Sequence, residues 1–263
     1  MKNHNYIGLW LLISLGFVII LMISLMDDIK IGEWTVKKAS FPDVLLSENL
    51  SQDGSEDKID SDSLEIKQKN RIIETDSLPQ TIFIFGDSMT FNLALRLAQY
   101  AKANGHDIHT VNWDSSNTKI WAEYDTLKNC IDRYKPTQIF ISLGSNELYF
   151  KNPKSRLPYI QKILEVIDTI PYVWIGPPNW KEDTGMNDLL EHTCKPKSFF
   201  RSEGMHFERK ADKIHPTRQS SALWMDSIMR WLPKSSHPFI METPSDSIKK
   251  SNPNVVFLKA LNK

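Results

Sequence analysis

Neither sign of charge prevails in this chain: 32 Lys and Arg stand against 32 Asp and Glu in 263 residues. With no positive excess, the sequence-independent phosphate attraction on which nucleic-acid binders rely is missing, and no nucleic-acid partner is expected. Cysteine is scarce as well. Two residues, Cys130 and Cys194, are too few for a disulfide scaffold and fit no CxxC or zinc-ligand spacing. Whether these two pair in an oxidising compartment is left open. His206 and His215 lie close in sequence but have no third ligand in pattern, so neither a metal nor a cofactor is expected.

Charge is absent altogether from Tyr6 to Met26, a run of 21 residues reading YIGLWLLISLGFVIILMISLM. A helix needs about 20 apolar residues to cross the hydrocarbon core. The run has no polar stripe and is longer than the roughly 7–15 apolar residues of a cleaved signal peptide. It ends in Met-Asp-Asp rather than at a small-residue cleavage site. Residues 1–26 therefore read as a cytoplasmic stub and an uncleaved membrane anchor. Lys2 and the free amine precede the span and Asp27 and Asp28 follow it, which sends the remainder out of the cytoplasm. That side is the periplasm in a Gram-negative cell.

Residues 27–79 carry 13 acidic against 7 basic residues, with interspersed serine. A segment so poor in large apolar side chains cannot offset its ordering entropy and reads as an acidic tether. Its first part, 31–46, is more apolar. Residues 234–263 form a polar, Pro-containing extension.

From 80 to 233 the pattern changes to an alternation of strands and helices. Thr81–Phe85, Ile108–Asn112, Gln138–Leu143 and Tyr172–Gly176 are short apolar runs suited to buried parallel strands, with Lys197–Phe200 a fifth. Between them Phe91, Ala94, Leu95, Ala98 and Ala101 mark one helix. Ile120, Tyr124, Leu127, Ile131 and Tyr134 mark a second, and Ile160, Ile163, Leu164, Ile167 and Ile170 a third. Trp224, Met225, Ile228 and Trp231 mark the last. This βαβα rhythm predicts an α/β fold of three layers, a parallel sheet of about five strands between helices.

In such sheets ligands bind beyond the carboxyl ends of the strands, so the residues just after each strand carry the chemistry. Gly86-Asp87-Ser88 follows the first strand, where a turn can expose a serine hydroxyl at a helix N-terminus. Read singly, it is also an ordinary helix cap. Gly144-Ser145-Asn146-Glu147 follows the third strand, and the Asn146 amide there can donate to an oxyanion. Asp212-Lys213-Ile214-His215-Pro216 precedes the last helix, and Asp and His three apart in a turn can meet. The carboxylate then fixes the tautomer of an imidazole able to deprotonate a serine.

GDS, GxN and DxxHP in this order resemble the SGNH (GDSL) hydrolase superfamily over about residues 80–232. The resemblance implies a flavodoxin-like fold with Ser88 as nucleophile, His215 as general base and Asp212 as its orienting carboxylate. It also implies an oxyanion hole formed by the Ser88 N–H and Asn146, with a third backbone donor in the loop after strand two. There the family has a glycine and this chain has none: Asn112-Trp113-Asp114-Ser115-Ser116-Asn117-Thr118. Asn117 falls on the position, and asparagine tolerates positive φ better than most residues. Glu147 also stands where the family usually has Asp.

Trp113, Asn179 and Trp180 lie in loops at strand ends, where the tryptophans could stack on sugar rings or simply pack. Lys119, Arg201 and Lys213 could meet an anionic glycan. The expected activity is an esterase removing acyl, most readily acetyl, groups from a cell-envelope glycan. The alternative is transfer of the acyl group onto such a polysaccharide beside a membrane-bound O-acyltransferase, since anchored members of this superfamily resemble partners of such acyltransferases. A third reading, from a different class, is a non-catalytic glycan-binding module. From Lys195 onward there are 13 basic against 6 acidic residues, which suits an acidic substrate.

Overall fold

The computed structural model describes residues 28–31, 34–37, 75–245 and 251–261. The expected membrane span at 6–26 and most of the tether lie outside these residues. No helix among the described residues is long and apolar enough to cross a membrane. The chain divides into two compact units, one up to Leu64 and one from Glu65.

In the first unit, β1 (Asp28–Ile31) and β2 (Trp34–Lys37) pair antiparallel, Asp28 opposite Lys37. This hairpin falls inside the stretch read as a tether. Its isoleucine, tryptophan, threonine and valine residues are strand formers, and Asp28 and Glu33 are balanced there by Lys30 and Lys37.

The second unit is a six-stranded parallel sheet in the order β7-β6-β5-β3-β4-β8. Its strands are β3 (Thr81–Gly86), β4 (Asp107–Trp113), β5 (Gln138–Ser142), β6 (Tyr172–Ile175), β7 (Phe199–Phe200) and β8 (Val255–Leu258). Helices α1 (Thr90–Ala103), α2 (Thr118–Glu123), α3 (Thr126–Tyr134), α4 (Leu157–Ile167), α5 (Met186–Thr193) and α6 (Arg218–Trp231) cover it. Side chains alternate across a strand, and β3 shows the consequence. Ile82 and Ile84 enter the layer of α1 and α6 with Leu93, Leu97, Trp224 and Ile228. Phe83 and Phe85 enter the opposite layer with Trp121, Leu127, Ile160 and Trp174. The three-layer α/β architecture thus follows from apolar residues on both faces of every inner strand.

Several details differ from the sequence reading. The buried stripe of α1 runs through Leu93 and Leu97, leaving Leu95 only half-buried. The second helix is two helices, because Tyr124 turns extended (φ −104°, ψ 144°) and Asp125 opens a new one. The sheet has six strands rather than five. Its sixth, β8, comes from the extension beyond 234 and pairs with β4 in register from Thr110 opposite Val255 to Trp113 opposite Leu258. The Thr110 hydroxyl donates to the Pro253 carbonyl at 2.7 Å and the Asn254 amide to the Ile108 carbonyl at 2.9 Å.

Strand β3 pairs with β4 on one side and β5 on the other, so the chain reverses its direction of winding there. Gly86, Asn112 and Ser142 stand in one row across the three strands. The loops that follow this row converge on one edge of the sheet, where a doubly wound sheet binds its ligands.

Candidate active site

The turn after β3 is drawn tight by backbone bonds. The Asp87 N–H donates to the Ser142 carbonyl at 3.0 Å and the Thr90 N–H to the Asp87 carbonyl at 3.0 Å. The Asp87 carboxylate takes the Met89 N–H at 3.0 Å. Ser88 therefore sits at the opening of α1, half-buried, and its backbone N–H has no acceptor among the described residues.

His215 is presented by a second compact turn. The Lys210 N–H donates to the His215 carbonyl at 2.8 Å and the Lys213 N–H to Lys210 at 2.9 Å, with Lys213 left-handed at φ 59°. Within it Asp212 Oδ1 accepts the N–H groups of Ile214 (2.8 Å) and His215 (2.9 Å). Asp212 Oδ2 lies 2.8 Å from His215 Nδ1, and His215 Nε2 lies 2.8 Å from Ser88 Oγ. Hydrogen bonds from His215 above all hold the Asp212 carboxyl well below the usual carboxylate range, so it is ionised and accepts only. An accepting carboxylate puts the ring proton on Nδ1 and leaves Nε2 free to take the serine proton.

Asn146, on the loop after β5, donates through Nδ2 to the Ser116 carbonyl at 2.8 Å, which leaves its second amide hydrogen available. Asn117 does not adopt the positive φ expected of it. It is extended (φ −148°) and caps α2, Oδ1 accepting the Ile120 N–H at 3.1 Å; the left-handed residue of the loop is Ser115 (φ 57°). The Asn117 backbone N–H has no acceptor among the described residues.

The aromatic residues separate. Trp113 is 4% exposed, packs against Trp121 and spends its indole N–H on the Lys259 carbonyl at 2.9 Å, so it offers no face to a ligand. Its position on β4 beside β8, whose next residue supplies the accepting carbonyl, explains this, and that neighbour was not visible in the sequence. Trp180 is half-buried beside the site, its N–H on the Ser145 carbonyl at 2.9 Å. Two neighbours not picked out from the sequence join it. Tyr149 stands edge-on at 5.8 Å, and Lys181 lies 4.4 Å from the Tyr149 ring and 5.1 Å from that of Trp180. Asn179 is held by its neighbours: Oδ1 accepts from Asn187 at 3.1 Å, and its carbonyl accepts from Arg209 at 3.0 Å. Arg209 also donates to the Ile214 carbonyl, bracing the histidine turn, a role no local motif announces. Arg201 is paired with Asp188, Glu191 and Glu203, which removes it as a free cation. Cys130 and Cys194 are both free; burial pushes the Cys194 thiol up to about 12.

Next to Ser88, the fully buried Asp87 has Oδ2 without a hydrogen-bond partner among the described residues. Burial pushes its carboxyl from 3.8 up to about 7, against the pull of the Met89 and Ser145 N–H groups, and nearby Glu147 adds to the rise. The raised value means Asp87 costs nothing below the unfolded pKa of 3.8. Stability is lost as pH rises from there towards about 7, and the full cost remains above it. Asp87→Asn should therefore raise the melting temperature at pH 8 by about 3 °C or more, and change it little at pH 4. An equal effect at both pH values would contradict this account.

No protein-family model matches the chain, and no curated protein matches it. Solved structures do align with it. A mutant acetyl esterase with an acetate ion is 14% identical with a TM-score of 0.45, the match covering 59% of this chain and 98% of that one. A gut microbial diltiazem-metabolizing enzyme is 9% identical with a TM-score of 0.42, covering 58% of this chain and 46% of the other. A protein described as lipolytic and of the G-D-S-L family, from Desulfitobacterium hafniense DCB-2, is 15% identical with a TM-score of 0.40, covering 58% and 99%.

Proposed function

We propose that the second unit is a serine esterase acting through an acyl-enzyme, and that its substrate is an acyl, most readily acetyl, ester of a cell-envelope glycan. The observation that carries the chemistry is the continuous chain from Ser88 Oγ to His215 Nε2 and from His215 Nδ1 to Asp212 Oδ2, each contact 2.8 Å. Ser88 Oγ attacks the ester carbonyl as its proton passes to His215 Nε2. The Ser88 N–H, the Asn117 N–H and the Asn146 amide then stabilise the oxyanion. Collapse breaks the bond to the sugar oxygen, which takes the proton from His215 and departs as the alcohol. Water then attacks the acyl-enzyme with His215 as base, releasing the acid and restoring Ser88.

The glycan part of the reading is supported by Trp180 and Tyr149 beside Ser145, with Lys181 next to both rings. Aromatic faces stack on pyranose rings, and an ammonium suits an anionic substituent. The uncharged run at 6–26 supports a position at the outer face of a membrane.

Incubation with a serine-directed fluorophosphonate should label Ser88 stoichiometrically, and the protein should hydrolyse p-nitrophenyl acetate. With an O-acetylated acidic polysaccharide it should release free acetate. Absence of both adduct and turnover would overturn the esterase and favour a binding module. Acetate appearing on an added glycan acceptor instead of in solution would replace hydrolysis by transfer.

A further inference from the structure

We propose that Glu147 is a positioning residue: it holds the Asn117 N–H in place as an oxyanion donor by clamping the peptide group that follows it. The inference rests on the esterase reading and extends it to a residue with no direct reach to the ester.

The loop after β5 grips the loop after β4 with two consecutive side chains. Asn146 donates to the Ser116 carbonyl at 2.8 Å. Glu147 Oε2 accepts the Thr118 N–H at 3.0 Å and Oε1 accepts the Thr118 hydroxyl at 2.7 Å. Asn117 lies between these grips. The Ser116 carbonyl and the Asn117 N–H belong to one planar peptide, so fixing the first fixes the direction of the second. The next plane, joining Asn117 to Thr118, is fixed by Glu147. Both soft dihedrals of Asn117 are thereby determined from outside, although the loop has no glycine.

The alternatives for Glu147 are poorer. Its side chain is 0% exposed, so it touches no solvent. Its ionic neighbour, Arg156, has Nε 3.4 Å away, and the guanidinium carbon of that arginine lies 4.3 Å from the Phe150 ring centre. Among the described residues the direct hydrogen bonds of the carboxylate both go to Thr118. Far from the clamp, the same loop is braced by β8, where the Asp114 N–H donates to the Leu258 carbonyl at 3.0 Å. The loop is thus held at both ends, and Glu147 supplies the end next to the reacting carbonyl.

Kinetics with p-nitrophenyl acetate on the full chain test this, with kcat expressed per site titrated by fluorophosphonate. Loss of one oxyanion donor costs about 10²–10³-fold in kcat, so Glu147→Ala should lower kcat per titrated site by about 100-fold and leave KM within about threefold. Glu147→Gln should lose less than about tenfold, because its amide oxygen still accepts the Thr118 N–H while its NH₂ meets the rotated hydroxyl. A role confined to folding would lower the number of titrated sites and leave kcat per site unchanged, and that result overturns the proposal. Equal losses in Glu147→Ala and Glu147→Gln overturn it too, since charge rather than the clamp would then matter. Should Glu147→Ala not fold, Thr118→Val removes the hydroxyl bond alone and should lower kcat per site by about tenfold; no change there overturns the clamp. Failure of the esterase reading would be visible earlier, as an unlabelled and inactive wild type.

Discussion

Ser88→Ala is expected to lower kcat for p-nitrophenyl acetate by about 10⁴-fold or more while the protein keeps its fold. Among the described residues the Ser88 hydroxyl makes one hydrogen bond, to His215 Nε2 at 2.8 Å, and the turn that holds residue 88 is built from the backbone and side chain of Asp87. Removing the oxygen therefore deletes the proposed nucleophile and little else. Residues that act as one unit lose their effects non-additively. His215→Ala should accordingly fall to a similar level, and the double variant should be no slower than either. An additive double variant, or a Ser88→Ala enzyme with more than about a tenth of wild-type kcat, would move the nucleophile elsewhere. The melting curve supplies the control, since an unfolded variant would be slow for a trivial reason.

The largest stability effect is expected at Gly86. Its φ is +155°, and a Cβ there would sit 1.9 Å from the Ser142 carbonyl oxygen, 2.6 Å from its carbon and 2.7 Å from Thr90 Oγ1. The two nearest atoms are backbone of the neighbouring strand, so no rotamer change can relieve the overlap. Gly86→Ala must part β3 from β5 or twist the turn that presents Ser88. We expect a loss above about 4 kcal/mol, the range of exceptional single substitutions, seen as a fall in melting temperature on the order of 10 °C. Gly105→Ala is the contrasting case. Its φ is also positive (+72°), but a Cβ there meets nothing within 4 Å, so only backbone strain of about 1 kcal/mol applies. Similar melting temperatures for the two variants would refute the steric argument.

The inner strands were legible in the sequence because each is an apolar run buried on both faces, a pattern few other elements produce. The chemical residues were legible for a different reason: Ser88, Asn146, Asp212 and His215 stand in short motifs whose members meet locally or at the edge of adjacent strands. What was hidden depended on distant pairing. Val255–Leu258 is four residues with two of them more than a third exposed, and only its register against β4 makes it a strand. Without β8, Trp113 looks like a loop residue free to stack on a sugar; with it, the indole is sealed. Asn117 has an N–H without an acceptor among the described residues, in an extended rather than left-handed conformation. The reason is a clamp from Asn146 and Glu147 that lies 30 residues further along the chain and shows in no local pattern. Arg209 braces the histidine turn through carbonyl groups, and contacts to carbonyls leave no trace in side-chain chemistry.

The late arrival of β8 has a consequence for biosynthesis. A ribosome delivers β4 first, and Trp113 then waits for a carbonyl 146 residues downstream. Until Lys259 is delivered, one long side of the nascent sheet is an open ladder of unpaired amides, which invites pairing with another chain. The loop that ends at Asn117 meanwhile has one of its two supports missing. Assembly of the candidate site is thus coupled to the arrival of residues 255–259, and a chain not yet synthesised that far has Ser88 and His215 before the loop opposite them is secured.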